Sequence, residues 1–571
     1  MGNQLDMAAN IDALLAGLAA HRGEWAALAV QQRIALLQQV RERIAATATR
    51  WIALSNHAKG IAQDSTLQGE EWTSGPWALL STCDHLLASL NQIAAHGVPG
   101  VKALKKRTVA GTQLAVQVFP LNLFDRLLLS GVQAEVWMQP DVNEANLGGN
   151  VAKAYRNGGL DGELGLVLGA GNISSIAPLD ALHKLFAEKA VCIVKLNPVN
   201  DYLLPIFEEI FAPLIARNFV QFVTGGGEVG ALLCQHALVD TIHITGSQET
   251  HDAIVFGRGA DGQARRSANR PQNTKPISSE LGAVCPTIVV PGPWTGADIR
   301  FQAAHIATQK LHNSGFNCVA SQVLVLARQW EHTNDLRAAV RTQLAQAPDR
   351  QPYYPGAAAR QAQMAQCQPG VVQVNPAGAS ACRAVVELPP LGTPNVYAHS
   401  NEVFAPTLCE QLIDGSDPEQ FLRAAIDFCN GQLRGTLGAN ILIHPATIKA
   451  LGPRFDELLQ ELRYGCIAVN AWTGLGYLLT VTPWGAYPGH VLNDVQSGIG
   501  SVHNTFMFDR AQRTVVRAPF RPFPRALTLL PKPPWFVNNR QAHVVGRRLF
   551  EFQVKPSWFK LPAIFFAALR G

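Results

Sequence analysis

At 571 residues the chain exceeds what one hydrophobic core accommodates, so two or three domains are expected. Hydrophobic residues at 47% and charged residues at 16%, with 48 glycines and 35 prolines, exclude a disordered or fibrous chain and suit an α/β protein rich in turns. The net charge of +5 is uneven: residues 510–571 hold 12 Lys/Arg against Glu551 alone, a segment of +11 that leaves −6 on the rest, so the basic character belongs to a tail and says little about the body.

In chain order, residues 8–56 read as helix, with Ile34, Leu37, Val40 and Ile44 forming an apolar stripe at helical spacing. Strand-like runs follow at Thr108-Val109, 113–119 and 133–138, broken by Gly111, Pro120 and Gly131. A βαβ alternation then begins: strands at 164–168, 191–196, 219–223 and 241–245, with helices at 178–189 and 203–217 and another opening at 229–234. Beyond Glu280 it restarts with strand 287–290, helix 301–310 and strand 322–327. The segment 519–534, rich in Pro, Arg and Phe, is expected to be extended.

The ten cysteines stand singly, with no C-x-x-C pair and no histidine cluster at zinc spacing, so neither a metal site nor a disulfide framework is expected. No basic segment followed by an apolar one opens the chain, and no run reaches the roughly 18 apolar residues of a spanning helix. The expected setting is a reducing cytoplasm with most thiols free.

The chemistry centres on Asn313-Ser314-Gly315-Phe316-Asn317-Cys318, a cysteine in a turn of small residues, with Glu280 before it and Glu402 after it. A nucleophilic thiol flanked by carboxylates suits an enzyme that forms a thioester covalently and then hydrolyses it, the route for oxidising an aldehyde. Gly225-Gly226-Gly227-Glu228-Val229-Gly230 fits G-x-G-x-x-G between a strand and a helix. Its glycines admit close approach of a ligand while the helix start faces an anion. A second strand-to-helix turn, Thr245-Gly246-Ser247-Gln248-Glu249, makes a nucleotide the favoured ligand.

Asn172, Lys195, Thr224 to Gly230, Ile244 to Ser247, Glu280 to Gly282, Gly315 to Ala320, Glu402 to Pro406 and Pro483 to Tyr487 occur in the order of the aldehyde dehydrogenase superfamily, which the chain resembles from about residue 160 to residue 500. The resemblance implies an α/β fold of two doubly wound parallel-sheet domains with an oligomerisation arm. It divides the chain into an N-terminal helical part (1–107), a strand-rich arm (108–159), a Rossmann-like cofactor domain (160–283), a catalytic domain (284–490) and a basic, aromatic-rich C-terminal extension (491–571). It further implies Cys318 as nucleophile, Asn172 and the Cys318 amide as oxyanion donors, and Glu280 as the base that activates water. Lys195 and Glu402 would hold ribose hydroxyls, and Gly225, Gly230, Gly246 and Ser247 would line the path of an NAD or NADP pyrophosphate.

Several positions depart from that pattern. Ala283 and Phe316 replace a glycine and a glutamine, and His251 replaces the glycine that often ends the second turn. Pro198 stands where NAD-using relatives place an acidic residue, which removes repulsion of a 2′-phosphate and leaves NADP open. The turn Gly169-Ala170-Gly171-Asn172 resembles that of acyl-CoA or fatty acyl reductases, so an acylating reaction is the alternative, although Glu280 favours hydrolysis. The tail is expected to be an arm on a neighbouring subunit of a homodimer or homotetramer. The rival expectations are peripheral membrane contact through the tail and a non-catalytic scaffold acting through it. No nucleic-acid partner is expected, because no recognition module accompanies the charge.

Overall fold

The computed structural model describes residues 2–156, 161–375, 378–528 and 531–571, with side chains from Ala8 onward. The expected boundary between arm and cofactor domain, at 159/160, lies outside the described residues. Two sheets organise the chain, and both are mostly parallel because helices cover their faces. Predominantly apolar runs form their central strands: Leu164–Leu168, Val191–Lys195 and Val323–Ala327 are buried at every position.

The smaller sheet has six strands in the order Gly498–Ile499, Ile277–Leu281, Thr241–Gly246, Leu164–Leu168, Val191–Lys195, Val220–Val223. All neighbours pair in parallel except the first two. From Leu164–Leu168 the chain winds outward to one side through 191–195 and 220–223, then returns to the other side through 241–246 and 277–281. The crevice where the winding reverses therefore opens at the carboxyl ends of Leu164–Leu168 and Thr241–Gly246, the place where such sheets receive ligands. Helix Gly2–Ala27 packs on this sheet, and Val30–Ala58 packs on the helices Ala78–His96 and Leu204–Ile215, with Leu37, Val40, Ile44 and Trp51 buried in the same core. The long helix expected over 8–56 is thus two, broken at Leu28-Ala29.

The larger sheet has eleven strands. Seven run parallel, from Ala511–Arg517 through Cys466–Val469, Gly438–Leu442, Pro286–Val289, Val323–Ala327 and Thr407–Ile413 to Ala384–Glu387. Beyond Ala511–Arg517 lie the antiparallel strands Gln133–Met138, Gln113–Phe119 and Lys106–Val109. The strand-rich arm is therefore seated on the sheet of its own chain, and Ala511–Arg517 is the strand that joins them. The tail's charges are partly neutralised within the chain as well: Arg517 pairs with Asp456, and Arg521 and Arg525 both bind the buried Asp298 at 2.7 and 2.8 Å. Helix Ala542–Val554 packs on Gln68–Trp72, with the Phe550 and Trp72 rings 5.4 Å apart.

Candidate active site

Helix Gly296–Leu311 begins with a capping box in which Thr295 accepts from the Asp298 amide and Asp298 accepts from the Thr295 amide. It ends in three successive left-handed residues: Asn313 (φ 53°), Ser314 (φ 56°) and Gly315 (φ 76°). Only the last is a residue that adopts this conformation freely, and a side chain on Gly315 would stand 2.9 Å from the Ala405 carbonyl oxygen. The two non-glycine positions are held by hydrogen bonds: the Asn313 amide donates to Glu70 at 3.0 Å, and its side chain donates to the carbonyls of Asn172 and Phe316 at 2.9 and 3.2 Å. This turn delivers Cys318, partly exposed, to the floor of a cavity.

That cavity, about 480 Å³, brings Cys318, Glu280, Asn172 and Glu402 together from four separate segments. Asn172 follows the strand Leu164–Leu168, and its amide nitrogen donates one hydrogen to the Phe316 carbonyl at 2.9 Å, leaving the second for the pocket. Glu280 comes from Ile277–Leu281 and lies against Cys318 and Trp484. Burial pushes the Glu280 carboxyl up to about 8, with Asp180 adding to the effect and Cys318 and Trp484 opposing it. Burial also raises the Cys318 thiol well above the ordinary range, with Glu280 next in effect, so the resting thiol is protonated. Glu402 is likewise pushed up to about 8 by burial, against the pull of Lys310. Its carboxylate occupies the space over Gly282, where a Cβ would meet it at 1.9 Å; any other residue there would evict it. Arg360 fixes the Glu402 loop by donating to the carbonyls of Val403 and Phe404 at 2.8 and 3.1 Å.

A second cavity of about 830 Å³ continues from the first through Thr245, Gly246, Ser247 and Tyr354. Lys195, Gly230, Gly246 and Ser247 face it, whereas Gly225 packs behind on Val229 and the backbone that faces the space is that of Gly226 and Gly227. Ser247 is the N-cap of helix Gln248–Val255, accepting from the Thr250 amide at 3.3 Å, so this helix start points at the cavity. Four cations, Lys195, Arg258, Arg265 and Lys275, line this cavity, and no carboxylate lines it. Glu228 at its edge is turned back on the Gly226 amide at 3.0 Å. Burial lowers the Lys195 ammonium, with Glu228 and Asp201 opposing. A long cleft with cationic walls and a helix start, running to a thiol, fits an elongated phosphate-bearing ligand whose far end reaches the chemistry.

Sequence reasoning did not find the group behind Cys318. Glu70 and Glu71, on helix Gln68–Trp72, are buried with Lys59 and Arg350: Arg350 pairs with Glu70, and Lys59 with Glu71 at 2.8 Å. The Tyr353 hydroxyl lies 2.7 Å from the Asn172 carbonyl and 2.9 Å from Asn313 Oδ1. Burial alone would raise the Glu70 carboxyl, but His312, Arg350 and the Asn313 amide outweigh it and lower it. Arg350→Met removes the cation from this buried cluster and is expected to destabilise the protein by about 3 to 5 kcal/mol, read as a fall in the denaturation midpoint. An unchanged midpoint would show that the cluster does not brace the turn.

Residues 191–408, which carry Lys195, Glu280, Cys318 and Glu402, match the model of the Aldehyde dehydrogenase family. No curated protein matches the sequence. Among solved structures, a cysteine-to-alanine variant of aldehyde dehydrogenase C from Pseudomonas syringae, complexed with NAD+ and octanal, is similar over 90% of this chain and 90% of its own, at a TM-score of 0.59 and 14% identity. Lactaldehyde dehydrogenase from Escherichia coli covers 89% of this chain and 91% of its own, at a TM-score of 0.59 and 13% identity. An NAD-dependent aldehyde dehydrogenase from Sinorhizobium meliloti covers 90% of this chain and 88% of its own, at a TM-score of 0.57 and 15% identity. The fold of these enzymes is thus shared along nearly the whole length of the chain, and the aldehyde dehydrogenase family match spans the segments that carry Lys195, Glu280, Cys318 and Glu402.

Proposed function

We propose that the protein oxidises an aldehyde to its carboxylic acid with NADP, through a thioester on Cys318. The observation that carries this reading is the meeting of Cys318, Glu280 and Asn172 in one cavity that runs into a cation-lined cleft. Cys318 gives its proton to solvent, and the thiolate adds to the aldehyde carbon. The free hydrogen of the Asn172 amide and the Cys318 backbone amide meet the oxyanion. When bound, the nicotinamide cofactor supplies the hydride acceptor that converts the adduct to a thioester. Glu280, ionised, then takes a proton from water as the water attacks the acyl carbon and passes it to the departing sulfur, so that Cys318 leaves as the thiol and the acid is released. Lys195 and Glu402 would hold ribose hydroxyls of that cofactor, and Ser247 with its helix start would lie near the pyrophosphate.

The choice of NADP follows from charge. Pro198 offers no carboxylate to a ribose, and the wall presents Arg258, whose Nη2 lies 3.3 Å from where a Cβ on Gly227 would stand and which pairs with no carboxylate among the described residues. Purified protein supplied with a panel of aldehydes and no CoA is expected to reduce NADP in preference to NAD. Arg258→Ala should raise the KM for NADP about tenfold to a hundredfold and leave that for NAD nearly unchanged, since one charge-assisted contact is worth about 1.5 to 3 kcal/mol. Equal effects on both cofactors would refute the selectivity, and strict dependence on CoA would replace hydrolysis by acyl transfer.

A further inference from the structure

The last thirty residues place apolar surface in solvent. Helix Leu561–Ala568 carries no charged side chain. Its inner face, Leu561, Ile564, Ala567 and Ala568, is buried, and on the outer side Phe566 is 58% exposed and the following Leu569 68% exposed. A helix apolar all round belongs in a core or a lipid phase. At 8 residues this one is far short of the roughly 20 needed to span a bilayer, and no helix among the described residues is long and apolar enough to cross one.

Beside it, Phe559 is 95% exposed and Trp558 packs on Phe124, their ring centroids 4.9 Å apart. Phe124 lies in the short helix Leu123–Leu128, where Leu121 and Leu123 are exposed too. Six of the twelve large apolar side chains exposed among the described residues thus gather on two touching segments. Monomer surfaces rarely concentrate apolar groups in this way without a partner.

The rim of this surface is basic. Arg126, Arg548, Lys555, Lys560 and Arg570 belong to the same two segments, with Arg570 4.5 Å from the Phe566 ring centroid, and the only carboxylates in them are already used. Asp125 accepts from the Leu121 and Asn122 amides at 2.8 and 3.2 Å, and Glu551 pairs with Arg547 at 2.9 Å. Arg547 is the one cation of residues 542–571 that forms an ion pair among the described residues, in contrast to Arg517, Arg521 and Arg525 nearer the body.

We propose that this surface seats the protein on an anionic lipid membrane, with Phe559, Phe566 and Leu569 in the headgroup boundary and the basic rim against the phosphates. A second copy of the chain is the weaker occupant, because a twofold contact centred here would set the same basic rim against itself.

The test is flotation of the full-length protein with phosphatidylcholine vesicles containing about 30% phosphatidylglycerol, beside pure phosphatidylcholine vesicles and the double variant Phe559→Ser, Phe566→Ser. The wild type is expected to float with the anionic vesicles, at least about tenfold more strongly than with neutral ones and about tenfold more strongly than the variant. Raising salt from about 0.05 to about 0.5 M should release it, a control that needs no variant. Absence from the anionic fraction overturns the proposal, as does equal flotation of wild type and variant, or a dimer that the variant dissociates without any vesicle binding. Binding is read without turnover, so the result is independent of the active-site reading.

Discussion

Cys318→Ala is expected to lower the rate of cofactor reduction at least about 10⁴-fold while leaving cofactor binding and the melting temperature close to wild type. The size of the loss follows from what remains. Asn172, Glu280 and the cationic cleft still bind and polarise an aldehyde, but hydride departure needs a tetrahedral adduct, and only a nucleophile within bonding distance of the carbonyl supplies one. The nearest substitute is Cys285, whose Sγ contacts the Cys318 carbonyl oxygen at 3.4 Å. It is fully buried, faces the backbone of the loop, and its thiol is pushed up beyond the ordinary range by burial first and by Glu402 next. Stability should hold because the Cys318 side chain braces little, whereas the turn that carries it is fixed from Glu70, Asn172 and Tyr353. Retention of more than about one-hundredth of the wild-type rate, followed by the absorbance of reduced nicotinamide, would remove Cys318 from the chemistry.

Much of the frame was legible because local signals agree with global packing. The strands Gln113–Phe119 and Gln133–Met138 fall on the residues expected, since β-branched and aromatic runs there are bounded by Gly111, Pro120 and Gly131. The parallel strands were equally plain as continuous apolar runs. Ala511–Arg517 was hidden for the opposite reason: its arginines entered a count of tail charge, while Val515 and Val516 are fully buried in the larger sheet. Likewise Gly498–Ile499, read as part of an extension, pairs with Glu280 and Ser279 on the strand Ile277–Leu281.

In the site, residues adjacent in a motif were found and residues adjacent only in space were not. Glu70 reaches Asn313 across 243 positions, and no periodicity encodes that distance. Arg258 has no motif either; its meaning comes from the wall it shares with Lys195 and Lys275. The glycine fingerprint was displaced by a residue or two, because spacing fixes the turn but not which of its amides face the cavity. One connection joins distant parts of the chain: helix Ala542–Val554 packs directly on Gln68–Trp72, the element that supplies Glu70 to the Asn313 turn before Cys318. The tail that carries the exposed aromatic surface is therefore one packed layer from the brace behind Cys318.

Glu280→Gln is expected to give one burst of reduced cofactor per site and then stall, with steady turnover lowered about 10²- to 10⁴-fold, the range that a general base contributes. The amide still fits beside Cys318 and Trp484, so binding and thioester formation survive, but it accepts no proton from water. The wild-type pH dependence carries the same information. With its carboxyl near 8, Glu280 is mostly protonated at pH 6, and deacylation should rise about tenfold per pH unit up to about 8 and level above it, while the burst amplitude stays constant. Stability runs the other way. Burial raises the folded carboxyl above its unfolded value of 4.5, so the favourable contribution is complete below pH 4.5 and is lost as pH rises through about 8. Above that pH the wild type must hold a desolvated carboxylate next to Glu402, itself pushed up to about 8, and Glu280→Gln relieves it. The variant should therefore be more stable than wild type in alkaline buffer, by a few kcal/mol at most, and indistinguishable in acid, measured by chemical denaturation at both ends. A variant that turns over steadily without CoA would refute the assignment of Glu280. One that stalls alone but turns over when CoA is added would show that the thioester is built to be handed to a thiol, because a thiol needs no carboxylate to activate it as water does.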